Sequence, residues 1–280
     1  MSIVAAVLAC LTGCTAGPKS VGMVKSAEAS DVGVARRQEL RLKNDPIGYI
    51  TEVRDRCAKF DQYTITFIRQ ERRGLGFLKS MQGPERILCW FRRSPFSIRM
   101  KWTDPDIKYG ESTYVEGQQK DQVRFVPRNG LFGLKPGITR VSIQTPVTWG
   151  EARYTVRDFG MENMLTRTLA TYEKGRDGAK ITFLGTSRIG ESQRLAAGLR
   201  LEYSPALFAA PIQEIYFDVE TELPVGTITR FPDETIDTAY FYEDLDTTVT
   251  LSDDDFLLDL ERNPPAEDDA AAAADAPPEE

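Results

Sequence analysis

Phe96-Ser97-Ile98-Arg99-Met100-Lys101-Trp102 sets Phe96, Ile98, Met100 and Trp102 on one side of an extended chain and Ser97, Arg99 and Lys101 on the other. A period of two marks a strand with one face against a core, because successive side chains of an extended backbone point in opposite directions. The same alternation sets Tyr63, Ile65 and Phe67 against Thr64 and Thr66, and a second extended stretch runs from Glu85 to Arg92. Strand signals continue at 111–116, 122–126 and 138–143, separated by turn-forming stretches such as Gly117-Gln118-Gln119 and Arg128-Asn129-Gly130. They resume at 179–186, 197–203, 212–219, 225–231 and 238–242.

Two stretches change the period from two to that of a helix. Residues 36–43 have helix-forming composition, Asp45-Pro46 then supplies a cap and a first-turn proline, and Ile47, Ile50, Val53, Cys57 and Phe60 recur every three or four residues. Met161, Met164, Leu165, Leu169 and Tyr172 follow Gly160 at the same spacing. Roughly ten strands, two helices, short connections and no strand-helix-strand alternation predict a mainly β, α+β domain, an antiparallel sheet curled around something.

Charge and composition remove several functions. The net charge is −7, but Glu267, Asp268, Asp269, Asp275, Glu279 and Glu280 stand in a terminal Ala- and Pro-rich run, so the body is close to neutral. Such a body lacks the positive field that drives phosphate binding, which excludes nucleic acid as a partner. The 280 residues include no histidine, which removes Ser-His-Asp and Cys-His triads and most zinc sites. Asp104-Pro105-Asp106 and Asp253-Asp254-Asp255 lack EF-hand spacing and read as turns or caps. A carboxylate hydrolase would need two acids about 5 to 9.5 Å apart in a cleft, and no pair stands out. The expectation is a protein that is not an enzyme, with no catalytic residue, metal or cofactor.

The amino terminus reads as an address. Residues 3–11 are nearly all apolar and lead into Leu11-Thr12-Gly13-Cys14, which resembles the bacterial lipobox. The resemblance implies a signal peptide over 1–13, lipidation of Cys14, and, with Thr15 following, a lipid anchor in the outer membrane facing the periplasm. No Lys or Arg precedes the apolar run, which departs from the pattern. Residues 14–35 read as a flexible tether, 36–262 as the folded domain and 263–280 as a disordered acidic tail. After export, Cys57 and Cys89 remain; they either pair in an oxidising compartment or lie buried apart.

The last third contains Ile215-Tyr216-Phe217-Asp218, Thr221-Glu222-Leu223-Pro224-Val225, Tyr240-Phe241-Tyr242-Glu243-Asp244-Leu245 and Leu251-Ser252-Asp253-Asp254-Asp255-Phe256. With Tyr63-Thr64-Ile65-Thr66-Phe67-Ile68-Arg69-Gln70-Glu71 and Arg93-Ser94-Pro95-Phe96, this order is similar to the lipoprotein-carrier superfamily typified by LolA and LolB, and within it to a bacterial family of unknown function. The resemblance covers residues 45–259 and rests on strands and turns rather than on a catalytic signature. It implies an unclosed β-barrel whose concave face is covered by amphipathic helices, with an apolar cavity for a lipid or for lipoprotein acyl chains.

Candidate lining residues are then Phe67, Trp90, Phe96 and Ile98, with Met100, Trp102, Met164 and Leu165; ordinary core packing is the competing reading for each. Arg69, Arg99 and Lys101 are candidates for anionic head groups, if adjacent strands align them on one face. The alternative function is a structural or sensory envelope module that docks a protein partner.

Overall fold

The period-two stretches form one antiparallel sheet in the computed structural model, which describes residues 24–26, 36–129 and 136–264. Its first half comprises β1 (Val24–Ser26), α1 (Arg36–Asn44), α2 (Pro46–Cys57), β2 (Gln62–Arg73), β3 (Ser80–Met81), β4 (Glu85–Arg92), β5 (Ser97–Trp102), β6 (Tyr109–Val115) and β7 (Gln122–Pro127). Then come β8 (Thr139–Ser142), α3 (Thr145–Thr148), α4 (Met161–Gly175), β9 (Lys180–Ile189), β10 (Arg194–Glu202), β11 (Ile212–Asp218), β12 (Pro224–Arg230), β13 (Ile236–Asp246) and α5 (Asp259–Arg262). The strand order is β1-β9-β10-β11-β12-β13-β2-β4-β5-β6-β7-β8, with β3 paired to β2 alone. Its two end strands, β1 and β8, do not pair with each other, so the sheet is open.

One stretch departs from expectation. Within the segment read as tether, Val24 pairs with Ile189 and Ser26 with Ser187, adding an edge strand to the sheet. The signal peptide, Cys14 and the acidic tail beyond residue 264 lie outside the described residues.

The helical stretches read from the sequence form as α1, α2 and α4. Asp45 caps α2 by accepting the Gly48 N–H at 2.9 Å, and Pro46 fills the first turn, where its missing N–H costs nothing. Tyr49, Ile50 and Val53 of α2, Leu42 of α1, and Met161, Met164 and Leu165 of α4 share one hydrophobic cluster with same-face strand residues such as Ile87, Cys89, Ile215 and Phe217. A second, smaller cluster occupies the other face of the central strands, with Ile68, Tyr216, Ile228 and Phe241. There the β9–β10 turn folds back onto β13, where the Glu243 carboxylate accepts the N–H of Glu191 and, at 3.3 Å, that of Ser192.

The outer face of β5–β7, which carries the head-group candidates Arg99 and Lys101, is largely covered. The turn Asp253–Phe256 and α5 lie across it. Phe256 is 1% exposed beneath the Arg92 guanidinium, and its carbonyl accepts the Thr113 hydroxyl at 2.7 Å. Arg99 is 3% exposed and donates to Glu111 at 2.9 Å and to Asp259 at 2.5 Å; Lys101 reaches Asp259 at 2.7 Å. Cys57 and Cys89 are buried free thiols, the arrangement given above as the alternative to a disulfide. Burial pushes the Cys57 thiol up to about 12 and raises that of Cys89 as well, so neither forms a thiolate readily.

Candidate functional site

Between the inner face of β2, β5–β8 and β13 and the segment running from α3 to the start of α4 lies a cavity of about 450 Å³. Most of its wall is apolar: Phe67, Met100, Val123, Val141, Val156 and Phe159 all line it. The strands present these side chains because alternate residues share a face, so Phe67 on β2 and Met100 and Trp102 on β5 point inward together. The opposite wall, from Thr145 to Gly160, has no regular period.

One end of the cavity is charged but balanced. Arg69 donates to Glu85 at 2.6 Å and lies 3.2 Å from Glu71; Arg73 pairs with Glu85 as well. Trp102 Nε1 donates to Glu85 at 3.1 Å, and the Tyr240 hydroxyl donates to Glu71 at 2.7 Å. Burial opposes the Arg69 charge, yet Glu85 and Glu71 outweigh it and raise its pKa above the ordinary value. Burial likewise opposes the Glu85 charge, but Arg69 and Arg73 hold its carboxyl below the ordinary carboxylate value. Burial, reinforced by Glu71, pushes the Tyr240 hydroxyl well up, so it stays a donor. Two arginines against two glutamates leave this corner close to neutral, and each charge has a partner.

Near the cavity the chain is pinched and apolar. Gly74 N–H donates to the Gly150 carbonyl at 3.0 Å, and Gly150 adopts φ +69; a Cβ there would sit 2.4 Å from the Gly74 oxygen. Trp149, a wall residue next to Gly150, is 61% exposed, and Leu75 and Leu78, which follow Gly74, are 58% and 68% exposed. Among the described residues no group of three His, Cys, Asp or Glu side chains is placed to hold a metal ion, and no helix is long and apolar enough to cross a membrane.

The candidate lining residues therefore separate. Phe67, Met100 and Trp102 lie in the cavity wall. Ile98, Met164 and Leu165 are core residues at 1%, 3% and 0% exposure. Phe96 lines a second, smaller cavity and packs edge-on against Phe91 at 5.6 Å. Trp90 faces the other way: the Arg99 guanidinium lies 5.0 Å above its ring, on the face covered by the C-terminal segment. The three candidate cations do not share a face either. Arg69 lies in the cavity wall, whereas Arg99 and Lys101 pair with Asp259 on the outer side. Strand parity separates them, since Arg69 follows Ile65 and Phe67 at intervals of two. The same parity could have found Glu71 and Glu85, each in step with inward apolar neighbours; nothing periodic marks Trp149, Val156 or Phe159.

The described residues thus form an open antiparallel sheet with a mainly apolar cavity against its inner face. The chain belongs to DUF1571, a family of proteins of unknown function, which it matches over residues 60–265. Comparison with curated proteins finds no match. Among solved structures the chain is similar to one of the Pseudomonas aeruginosa MucA/MucB complex, at 16% identity and a TM-score of 0.42, over 76% of this chain and 62% of that one. It is similar to a LolA-superfamily protein from Nitrosomonas europaea, at 9% identity and a TM-score of 0.34, over 76% of this chain and 97% of that one. A putative outer membrane lipoprotein-sorting protein domain from Vibrio parahaemolyticus matches at 10% identity and a TM-score of 0.33, over 75% and 95% of the two chains.

Proposed function

We propose that this protein is a non-enzymatic, lipid-anchored envelope protein that accepts a lipid, or the acyl part of a lipoprotein, in the cavity of an unclosed barrel with helices over its concave face. The observation that carries this reading is the apolar cavity of about 450 Å³, within the range of about 300–1,000 Å³ usual for small-molecule sites. Each methylene buried there contributes about 0.8 kcal/mol, so an acyl chain binds without any charged contact. The paired Arg69 corner fits that mode: it closes a polar end of the wall without leaving a charge that would demand an ionic ligand. Anchoring through Cys14, in the outer membrane facing the periplasm, belongs to the same proposal.

The test is native mass spectrometry of the protein purified from an export host without detergent, followed by lipid extraction. A co-purified lipid at about one per chain, lost in Met100→Glu, is expected; a wild-type protein that stays empty after incubation with envelope lipids overturns the reading. Met100 suits this test because it is a half-buried wall residue, whereas a charge at Met164 would disrupt the core. A second reading, docking of an envelope protein, draws on the exposed Leu75, Leu78 and Trp149. An empty cavity together with a partner whose binding is lost in Trp149→Ala would favour it.

A further inference from the structure

The large cavity has a neighbour. A second cavity of about 310 Å³ lies beneath the start of α4, with an inner wall that includes Tyr63, Phe91, Phe96 and Met161. Phe159 and Gly160 line both cavities. The Phe159 ring lies 5.5 Å from Phe67, which faces the larger cavity, and 6.4 Å from Phe91, which faces the smaller one. The Phe159 ring thus borders both spaces, the smaller of which is lined by Tyr63, Phe91, Phe96 and Met161 on one part and by charged and polar side chains on the rest.

The backbone on either side of that ring is fixed. Val156–Asp158 forms a 3-10 turn closed by the Thr155 and Asp158 side chains, and the Phe159 carbonyl accepts an N–H of Asn163 at 2.9 Å. Gly160 adopts φ +116 at the head of α4, and a Cβ there would come within 3.2 Å of the Tyr63 hydroxyl oxygen. A side chain at position 160 would be strained, so glycine suits the entry to α4. At its outer edge the smaller cavity carries paired charges, Arg93 with Glu162 at 2.5 Å and Arg157 with Glu116 at 3.0 Å. An acyl chain advancing from the larger cavity would meet the Phe159 ring first, then the apolar inner wall, and those charges last.

We propose that Phe159 is a partition that sets the longest acyl chain the protein accepts: with the ring in place, ligand burial ends at the larger cavity, and without it the two cavities join. This rests on the acyl-binding reading above and adds a specificity-determining residue to it. The wild-type protein then gains affinity with each methylene until the chain reaches the ring, after which added methylenes contribute little. Removing the ring lets burial continue, with binding tightening roughly fourfold per added methylene.

The experiment is calorimetric titration of the lipid-free protein with a series of saturated lysophosphatidylcholines from decanoyl to stearoyl, below their micelle-forming concentrations. Wild type is expected to reach a plateau in affinity within the series. Phe159→Ala moves the plateau to longer chains, and Phe159→Trp moves it to shorter ones. Phe159→Leu, which keeps a branched apolar side chain in the core, supplies an intermediate shift should the alanine variant fail to fold. A plateau at the same chain length in wild type, Leu and Trp variants overturns the partition while leaving acyl binding intact. Failure of every chain to bind wild type overturns the acyl-binding reading, and the partition with it.

Discussion

Arg69 shows how a single residue can be read from its parity yet misplaced by its chemistry. Tyr63, Ile65 and Phe67 face inward, and the period of two carries Arg69 and Glu71 to the same side. A charged side chain there is tolerated because Glu71 and Glu85 lie within salt-bridge distance. Arg69→Met should cost about 3–5 kcal/mol in urea unfolding, because it leaves Glu71 buried without its cationic partner and Glu85 with Arg73 alone. The pH dependence follows from Glu85. Its folded pKa is lowered, so its stabilising contribution is present above the ordinary glutamate value of about 4.3 and is lost as pH falls below it, through the lowered folded value. Unfolding titrated between neutral pH and the acid range should show this loss in wild type and a shallower one in Arg69→Met. Glu243 has the opposite sign. Burial raises its carboxyl, so its contribution is greatest in acid and is lost as pH rises through the raised folded value. Glu243→Gln keeps an oxygen to accept the Glu191 and Ser192 N–H groups, and should raise stability at neutral pH while leaving acid stability unchanged.

At the scale of elements, long periodic stretches were legible and short or aperiodic ones were not. The stretch from Glu85 to Arg92 is a strand with those bounds, and Asp45-Pro46 opens a helix as its capping chemistry requires. β1 and β3, of three and two residues, are too short to show a period and are held by pairing alone. The cavity wall from Thr145 to Phe159 was illegible for a different reason: it is built from turns and a four-residue helix, whose positions are set by what they pack against. Trp90 is among the candidate lining residues, but Ile87, Cys89 and Phe91 fix the inward face and place it outward. The C-terminal segment was legible as a motif but not as a cover. Phe256 and Leu258 of that segment are 1% and 0% exposed. Phe256→Ala should destabilise by about 3–5 kcal/mol in thermal or urea unfolding. Asp259→Ala, at a side chain 47% exposed, should cost less than about 1 kcal/mol. Equal losses would mean that ion pairs, not apolar burial, hold the segment down.

For the whole molecule, the arrangement that matters is a sheet left open at β1 and β8, with an apolar cavity against the inward faces of its strands. A filled barrel would bury those side chains against one another; here Met100, Val141 and Val156 stay only partly buried and line shared space. At the cavity's polar end Arg69 and Arg73 pair with Glu71 and Glu85. Burial of an acyl chain requires no charged contact. The measurement that tests this claim most directly is photolabelling of the lipid-free protein with a fatty acid bearing a diazirine near the end of its chain, followed by peptide mapping of the adducts. The account predicts adducts on cavity-wall residues, Met100, Val141 and Val156 among them, and their suppression by excess unlabelled fatty acid. Adducts confined to the exposed Leu75, Leu78 and Trp149, and insensitive to competitor, would contradict it.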